Sequence, residues 1–363
     1  CFALLSTLRQ ANCLVTSDTD HYHGEMDLSR IPKVELHCHL ELCFRHSSLV
    51  EIGKTLKIEV PSDPEVFRNT WLITKPQENL ASVLNRFLLI QSLLASEEII
   101  ERLTSEVCED AAAQGIRILE LRYAPTFIQM NHPNLNFHKI HQSVVKGLRR
   151  ASALKMAAGL ICTVQRILPL KSAEEVSEFI IGNKDTFVGV DLADAEVGFD
   201  CRPFAPIFHR AREAGLGVTI HSGEEDVPQA AQFVRHAIEE LGAQRIGHGL
   251  QIFKDAKVIE FVKAKKVPLE LCPTSNWLTN AVPSPAQHPF RRLMEAGVLT
   301  TINSDDPSMF GIDLTHEYKS LQDHHGFGEK EFTYCNDIAA FYSFIPLKQK
   351  QAAWPRPINE PKR

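Results

Sequence analysis

The 363-residue sequence is 44% hydrophobic and 23% charged, enough apolar content for a large core, and this excludes a disordered chain. Its 45 acidic and 39 basic residues are interspersed, so the net charge of -6 comes with no basic block to recruit nucleic acid. Nine scattered cysteines, never spaced C-x-x-C, argue against a disulfide framework and a cysteine zinc site; with no apolar run long enough to span a membrane, a reducing, cytoplasmic setting is expected.

Residues 1–25 precede Met26 and lack the basic region of a secretory signal, so they are expected to be an upstream extension, with one domain over 26–363. The first predicted strand, 33–39 (KVELHCH), opens a series of eight short apolar, β-branched runs separated by segments of helical spacing. His37 and His39 lie two apart, so a strand turns both imidazoles to one face, a geometry that suits two ligands of one metal. A long connection over 40–114 follows, with helices such as NLASVLNRFLLIQSLL, and is expected to form a wall over the strand ends.

Strands are then predicted at 115–122, 157–164 and 186–193, the last carrying Asp191. Ser172, with Glu175 three residues on, is expected to open the intervening helix as a capping box, and APIFHRAREAG reads as a helix closed by its glycine. The fifth strand, 216–222, ends in His221, followed by Glu224; the sixth, 244–249, carries His248 between two glycines. The seventh is 267–273 and the eighth, 298–305, runs into the adjacent Asp305 and Asp306. Eight strands alternating with helices, without an internal repeat, predict an α/β chain folded as a (β/α)8 TIM barrel with a helical insertion after strand 1.

In such a barrel, side chains at the C-terminal strand ends converge on one face. His37, His39, His221 and Asp305 together fit one Zn²⁺ with a position left for water. Taken singly, His248 suits packing as well as chemistry, and Glu224 reads as a loop acid like its neighbour Glu225. Beside a metal, they supply the base and the acid of a hydrolytic site. Adjacent carboxylates on an extended chain point to opposite sides, so Asp305 and Asp306 face different surroundings, before Pro307 turns the chain away. Cys272 reads as a buried small residue rather than a nucleophile, and no phosphate-binding glycine loop is present.

The segments VELHCHLE, LELRYAP, VDLADAE, TIHSGE, RIGHG, CPTSNWLT and INSDDPSMF, in this order over about residues 30 to 345, resemble those of the adenosine deaminases of the metal-dependent amidohydrolase superfamily. The resemblance implies one zinc per chain on His37, His39, His221 and Asp305, and a zinc-bound water, activated by His248 and Asp305, that attacks purine C6. It also implies that Glu224 protonates N1 and that His39, Glu41, Asp194 and Asp306 line the substrate, with Asp306 at N7 and Glu41 near the sugar. The implied partner is a small-molecule purine nucleoside, adenosine or 2′-deoxyadenosine, with neither nucleic acid nor membrane involved. Adenine, an N6-substituted adenine nucleotide, or a non-catalytic purine-binding role are the alternatives. Two positions depart from the family pattern: Leu42 follows Glu41 where glycine is usual, and Asp194 replaces the glycine of a D-L-A-G segment whose N–H reaches purine N3. Both bear on substrate fit.

Overall fold

The structure is a computed structural model describing residues 26–78 and 80–361; the extension expected over 1–25 lies outside the described residues. All eight expected strands form: β1 (Lys33–His39), β2 (Ile116–Tyr123), β3 (Ala157–Gln165), β4 (Gly189–Ala193), β5 (Gly217–Ser222), β6 (Arg245–His248), β7 (Leu269–Leu271) and β8 (Thr300–Ile302). They pair in parallel in sequence order, as a (β/α)8 barrel requires, and their residues are almost uniformly buried because helices cover the outside and side chains fill the inside. The later strands are shorter than the apolar runs. β7 stops ahead of Pro273, which opens the helix Pro273–Leu278 and disfavours helical backbone at the residue before it.

The barrel closes where β1 meets the end of the last strand. Cys38 bridges to Asp305, the His39 N–H donates to the Asp305 carbonyl at 3.0 Å, and the Asp305 N–H donates to the His37 carbonyl at 2.9 Å.

Among the described residues, the insertion between β1 and β2 holds four α-helices: His46–Leu56, Pro64–Thr70, Leu80–Gln91 and Glu97–Ala113. The Ser96 side chain caps the last, accepting from the Ile99 N–H, and its buried stripe of Ile100, Leu103, Thr104, Val107, Cys108 and Ala111 has helical spacing. That stripe meets the helix Phe137–Arg150 at Gly147, where a Cβ would lie 2.5 Å from the Glu101 carbonyl oxygen, so any larger residue would force the pair apart.

One expected boundary is corrected. The helix between β3 and β4 runs Leu170–Gly182 with Pro169 at its N-cap, so Ser172 lies inside the first turn and does not cap it. Proline has already committed the backbone three residues earlier.

Inside the barrel, charge replaces part of the apolar filling. Arg122 pairs with Asp191 at 3.1 Å and with Glu270 at 2.7 Å, and Arg245 pairs with Glu270 and with Glu120, both at 2.6 Å; all five side chains are fully buried. Each charge has an opposite partner, without which burial would be prohibitive. At the barrel's other end Glu120 also accepts from Ser343 Oγ at 2.7 Å, which ties down the chain after the helix Glu329–Tyr342.

Candidate active site

Three strands bring one donor set together. The ligand-capable atoms of His37 and His39 on β1, His221 on β5 and Asp305 beyond β8 all lie within 4.8 Å of one another. His37 Nε2 stands 3.3 Å from Asp305 Oδ1, His39 Nε2 stands 3.5 Å from the same oxygen, and the Nε2 atoms of His39 and His221 are 3.2 Å apart. A tetrahedral ion with arms of roughly 2.0–2.1 Å has edges of about 3.3 Å, so these separations match one coordination sphere.

The network beneath decides which nitrogen each ring offers. Glu270 Oε2 accepts from His37 Nδ1 at 2.8 Å, and Asp191 accepts from His221 Nδ1 at 2.9 Å. Each ring is thereby left with an Nε2 lone pair aimed at the centre, the arrangement in which a carboxylate behind a histidine orients it for a cation. His37 Nε2 is buried with no hydrogen-bond partner, an atom that a cation would satisfy. Burial also lowers the basicity of His39 and His221, keeping them neutral donors. Burial alone would protonate Asp305, but the surrounding His37, His248 and His39 hold it well below the usual carboxylate range.

Above this set lies a cavity of about 780 Å³, walled by Leu80, Val83, Leu84 and Phe87 of the insertion. Glu224 and Asp306 both face into it. Burial, with Asp305 adding to it, pushes Glu224 up to about 8, and its Oε1 accepts from Thr279 Oγ1 at 3.0 Å. Burial and Asp305 likewise push Asp306 well above the carboxylate range, and its Oδ1 is buried without a partner. The cavity therefore presents protonated carboxyls beside an ionised one, the separation of roles that acid chemistry near a nucleophile needs. His248 Nε2 sits 3.5 Å from Glu224 Oε2 and 3.7 Å from Asp305 Oδ2. Gly247 permits this crowding, since a Cβ there would lie 2.9 Å from His37 Cε1.

Glu41 also lines the cavity. Its Oε1 accepts from the Ala124 N–H at 2.7 Å, while its Oε2 is buried without a partner, and burial pushes its pKa up to about 8. Asp194 lies on the same wall, accepting from Gln165 Nε2 at 3.2 Å, with burial raising it to about 6.

Three site residues have left-handed backbone: Asp194 (φ +78°), His248 (φ +59°) and Asp305 (φ +61°). The extended chain expected at Asp305–Asp306 is thus corrected. The two carboxyls separate because Asp305 turns through the left-handed region, a conformation that Asp tolerates better than most residues. The value at Asp194 explains why glycine suits that position in the resembled segment.

His39, Glu41, Asp194, His221, Glu224, His248, Asp305 and Asp306 all line this one cleft, with His37 buried beneath it in the donor set, and several unexpected residues support them. Glu270 and Arg122 orient the histidines, Ser275 Oγ donates to Asp305 Oδ2 at 2.7 Å, and Thr279 holds Glu224. A charged residue in the middle of a barrel strand, as in PLELCP, is the sequence signal that marks Glu270.

The sequence matches the profile of the family described as adenosine deaminase over residues 32–356. An adenosine deaminase of Plasmodium falciparum is 35% identical over 319 residues, covering 87% of this chain and 86% of that protein. Among solved structures, an adenine deaminase from Arthrobacter aurescens has a TM-score of 0.81 at 27% identity, with 89% of this chain and 96% of that one covered. The N6-methyl-AMP deaminase of Arabidopsis thaliana has a TM-score of 0.75 at 26% identity, with 89% and 95% covered.

Proposed function

Because the chain belongs to the adenosine deaminase family, we propose that it hydrolyses adenosine and 2′-deoxyadenosine at purine C6, releasing ammonia and leaving inosine or 2′-deoxyinosine. The charge of the cavity carries the choice of a nucleoside. Among the described residues its lining includes Glu41, Glu175, Asp194, Glu224, Asp305 and Asp306 and no lysine or arginine. A phosphate monoester, with ~1.5 to 2 negative charges near neutral pH, would lose its hydration there and gain no countercharge. The cavity is also far larger than a free purine base fills, and the unpartnered Glu41 Oε2 offers a group to a sugar hydroxyl.

The three imidazoles and Asp305 suit one Zn²⁺, and the orphaned His37 Nε2 supports that fit. Zinc held there would supply an acidified water, its pKa lowered from about 15.7 to about 7. The protein's own residues do the rest. Glu224, kept protonated by burial, gives its proton to purine N1, which weakens the ring's conjugation and makes C6 electrophilic. Asp306, also protonated, donates a hydrogen bond to N7. The water's oxygen adds to C6 on the side where His248 and Asp305 converge. N1 keeps the proton from Glu224; of the water's two protons, one leaves with the amine as ammonia and the other restores Glu224.

The test is a panel of adenosine, 2′-deoxyadenosine, adenine and N6-methyl-AMP with the zinc-loaded protein, followed by the ultraviolet change on loss of the amine. Turnover of adenine or N6-methyl-AMP without adenosine would overturn the nucleoside reading. Inactivity toward all four would overturn the reaction.

A further inference from the structure

A chain of three hydrogen bonds runs away from the cavity behind His248. It starts at a group whose role is fixed covalently: the Phe290 backbone N–H, which can only donate, lies 3.1 Å from His288 Nδ1. His288 Nδ1 is therefore an acceptor. Burial keeps this ring neutral, lowering its pKa to about 3, and a neutral imidazole with a lone pair on Nδ1 carries its proton on Nε2. That Nε2–H donates to Asn276 Oδ1 at 3.1 Å, which orients the amide. Asn276 Nδ2, a donor only, then meets His248 Nδ1 at 3.1 Å. All three side chains are buried, so solvent offers no alternative partners. The backbone carbonyl of Asn276 is held as well, accepting from the N–H groups of Ala281 at 2.8 Å and Val282 at 3.1 Å.

We infer that Asn276 and His288 are positioning residues that keep the proton of neutral His248 on Nε2, so that His248 faces the cavity as a hydrogen-bond donor and not as a proton acceptor. Its Nε2 lies 3.5 Å from Glu224 Oε2 and 3.7 Å from Asp305 Oδ2. Both gaps are too long for direct hydrogen bonds and leave space for one reacting oxygen between the three groups. There the Nε2–H stabilises the charge that gathers on the attacking oxygen, and Asp305 Oδ2 is the acceptor on that side. The catalytic consequence rests on the proposed deamination; the tautomer itself does not.

The experiment uses the zinc-loaded full chain labelled with 15N-histidine. Two-bond proton–nitrogen correlations report which ring nitrogen carries the proton, and comparison with His248→Ala assigns the His248 signals. A proton on Nε2 with Nδ1 bare is expected, and a proton on Nδ1 would overturn the inference, whatever the substrate proves to be. Asn276→Asp supplies the activity arm. It puts an acceptor where the amide nitrogen donated, so His248 must donate from Nδ1 and turn a lone pair toward the cavity. A fall in kcat of ~10²-fold, with KM changed by less than about threefold and zinc content unchanged, is expected. If His248 worked by accepting the water's proton, this variant would keep or raise kcat, which would overturn the inference. His288→Gln preserves a donor to Asn276 Oδ1 and is expected to retain most of kcat, whereas His288→Leu loses it; equal losses would reduce His288 to a merely structural residue. Should the variants fail to fold, the wild-type spectrum decides.

Discussion

Lowering the pH from 7 to 5 is expected to destabilise the protein through His288, by an amount that the burial of this ring sets. The pKa of His288 falls from its ordinary 6.5 to about 3 in the folded chain. Between those values the unfolded chain binds a proton that the folded chain refuses, so the stabilising effect is complete above pH 6.5 and is lost as the pH falls toward 3. At about 1.36 kcal/mol per pH unit, the whole interval is worth about 5 kcal/mol, and the portion between pH 7 and 5 integrates to about 2 kcal/mol. In a barrel of this length, with an unfolding entropy of about 2.1 cal/mol/K per residue, that corresponds to a fall in Tm of about 3 °C. Other groups titrate in the same range, so the assay is a comparison: urea unfolding of the wild type and of His288→Gln at both pH values. Glutamine keeps the donor to Asn276 and has nothing to titrate. The wild type is expected to lose about 2 kcal/mol more than the variant, and identical losses would refute the neutral, buried state on which the His248 tautomer depends.

Glu224→Gln keeps an acceptor for Thr279 Oγ1 but has no proton to give, so kcat is expected to fall ~10²- to 10⁴-fold with zinc retained; activity within tenfold of wild type would remove Glu224 as the proton donor. Asp305→Ala deletes the carboxylate shared by His37 and His39 and is expected to leave purified protein well below one zinc per chain by elemental analysis, an outcome that stoichiometric zinc would refute. Asp194→Gly relieves a left-handed backbone costing ~1 kcal/mol and gives up one 3.2 Å hydrogen bond, so stability is expected to change by less than about 1 kcal/mol and kcat/KM for adenosine to hold or rise. A loss above tenfold would instead assign the Asp194 carboxylate to substrate binding. Glu270→Ala leaves two buried guanidiniums, Arg122 and Arg245, with one carboxylate each and is expected to cost ~3–5 kcal/mol by urea unfolding; a cost below ~1 kcal/mol would show that the network is not needed.

Much of this molecule is legible in its sequence because barrel strands announce themselves as short apolar runs and because functional side chains gather at their C-terminal ends. The two-residue spacing of His37 and His39, and the positions of His221 and Asp305 at other strand ends, place four side chains in one cleft before any coordinates are known. What stays hidden depends on backbone detail or on contacts with no sequence period. The left-handed turn at Asp305 leaves no mark on residue type, so the separation of the two carboxyls is foreseen for the wrong geometric reason. Ser172 has the residues of a capping box, yet Pro169 starts the helix first. Glu270 and Arg122 sit inside apolar runs, where only the rule that a buried charge needs a partner picks them out. Asn276 lies in the helix Pro273–Leu278 and His288 just beyond the short helix Pro285–Gln287, and no local pattern joins them to His248.

The seam of the barrel adds a last consequence. The backbone hydrogen bonds that join the first strand to the last run through His37, His39 and Asp305, three of the four residues that would grip a metal. The chain must therefore be synthesised past Asp305 before the donor set can exist, and a half-made barrel has no site to expose. An ion bound there would act as a clasp across the two ends of the sheet. Binding only the closed form, it would add about 4 kcal/mol to stability at a thousandfold excess over its dissociation constant. Stripping it with a chelator would first loosen the amides of the seam, and hydrogen exchange there would register the opening before any distant helix did.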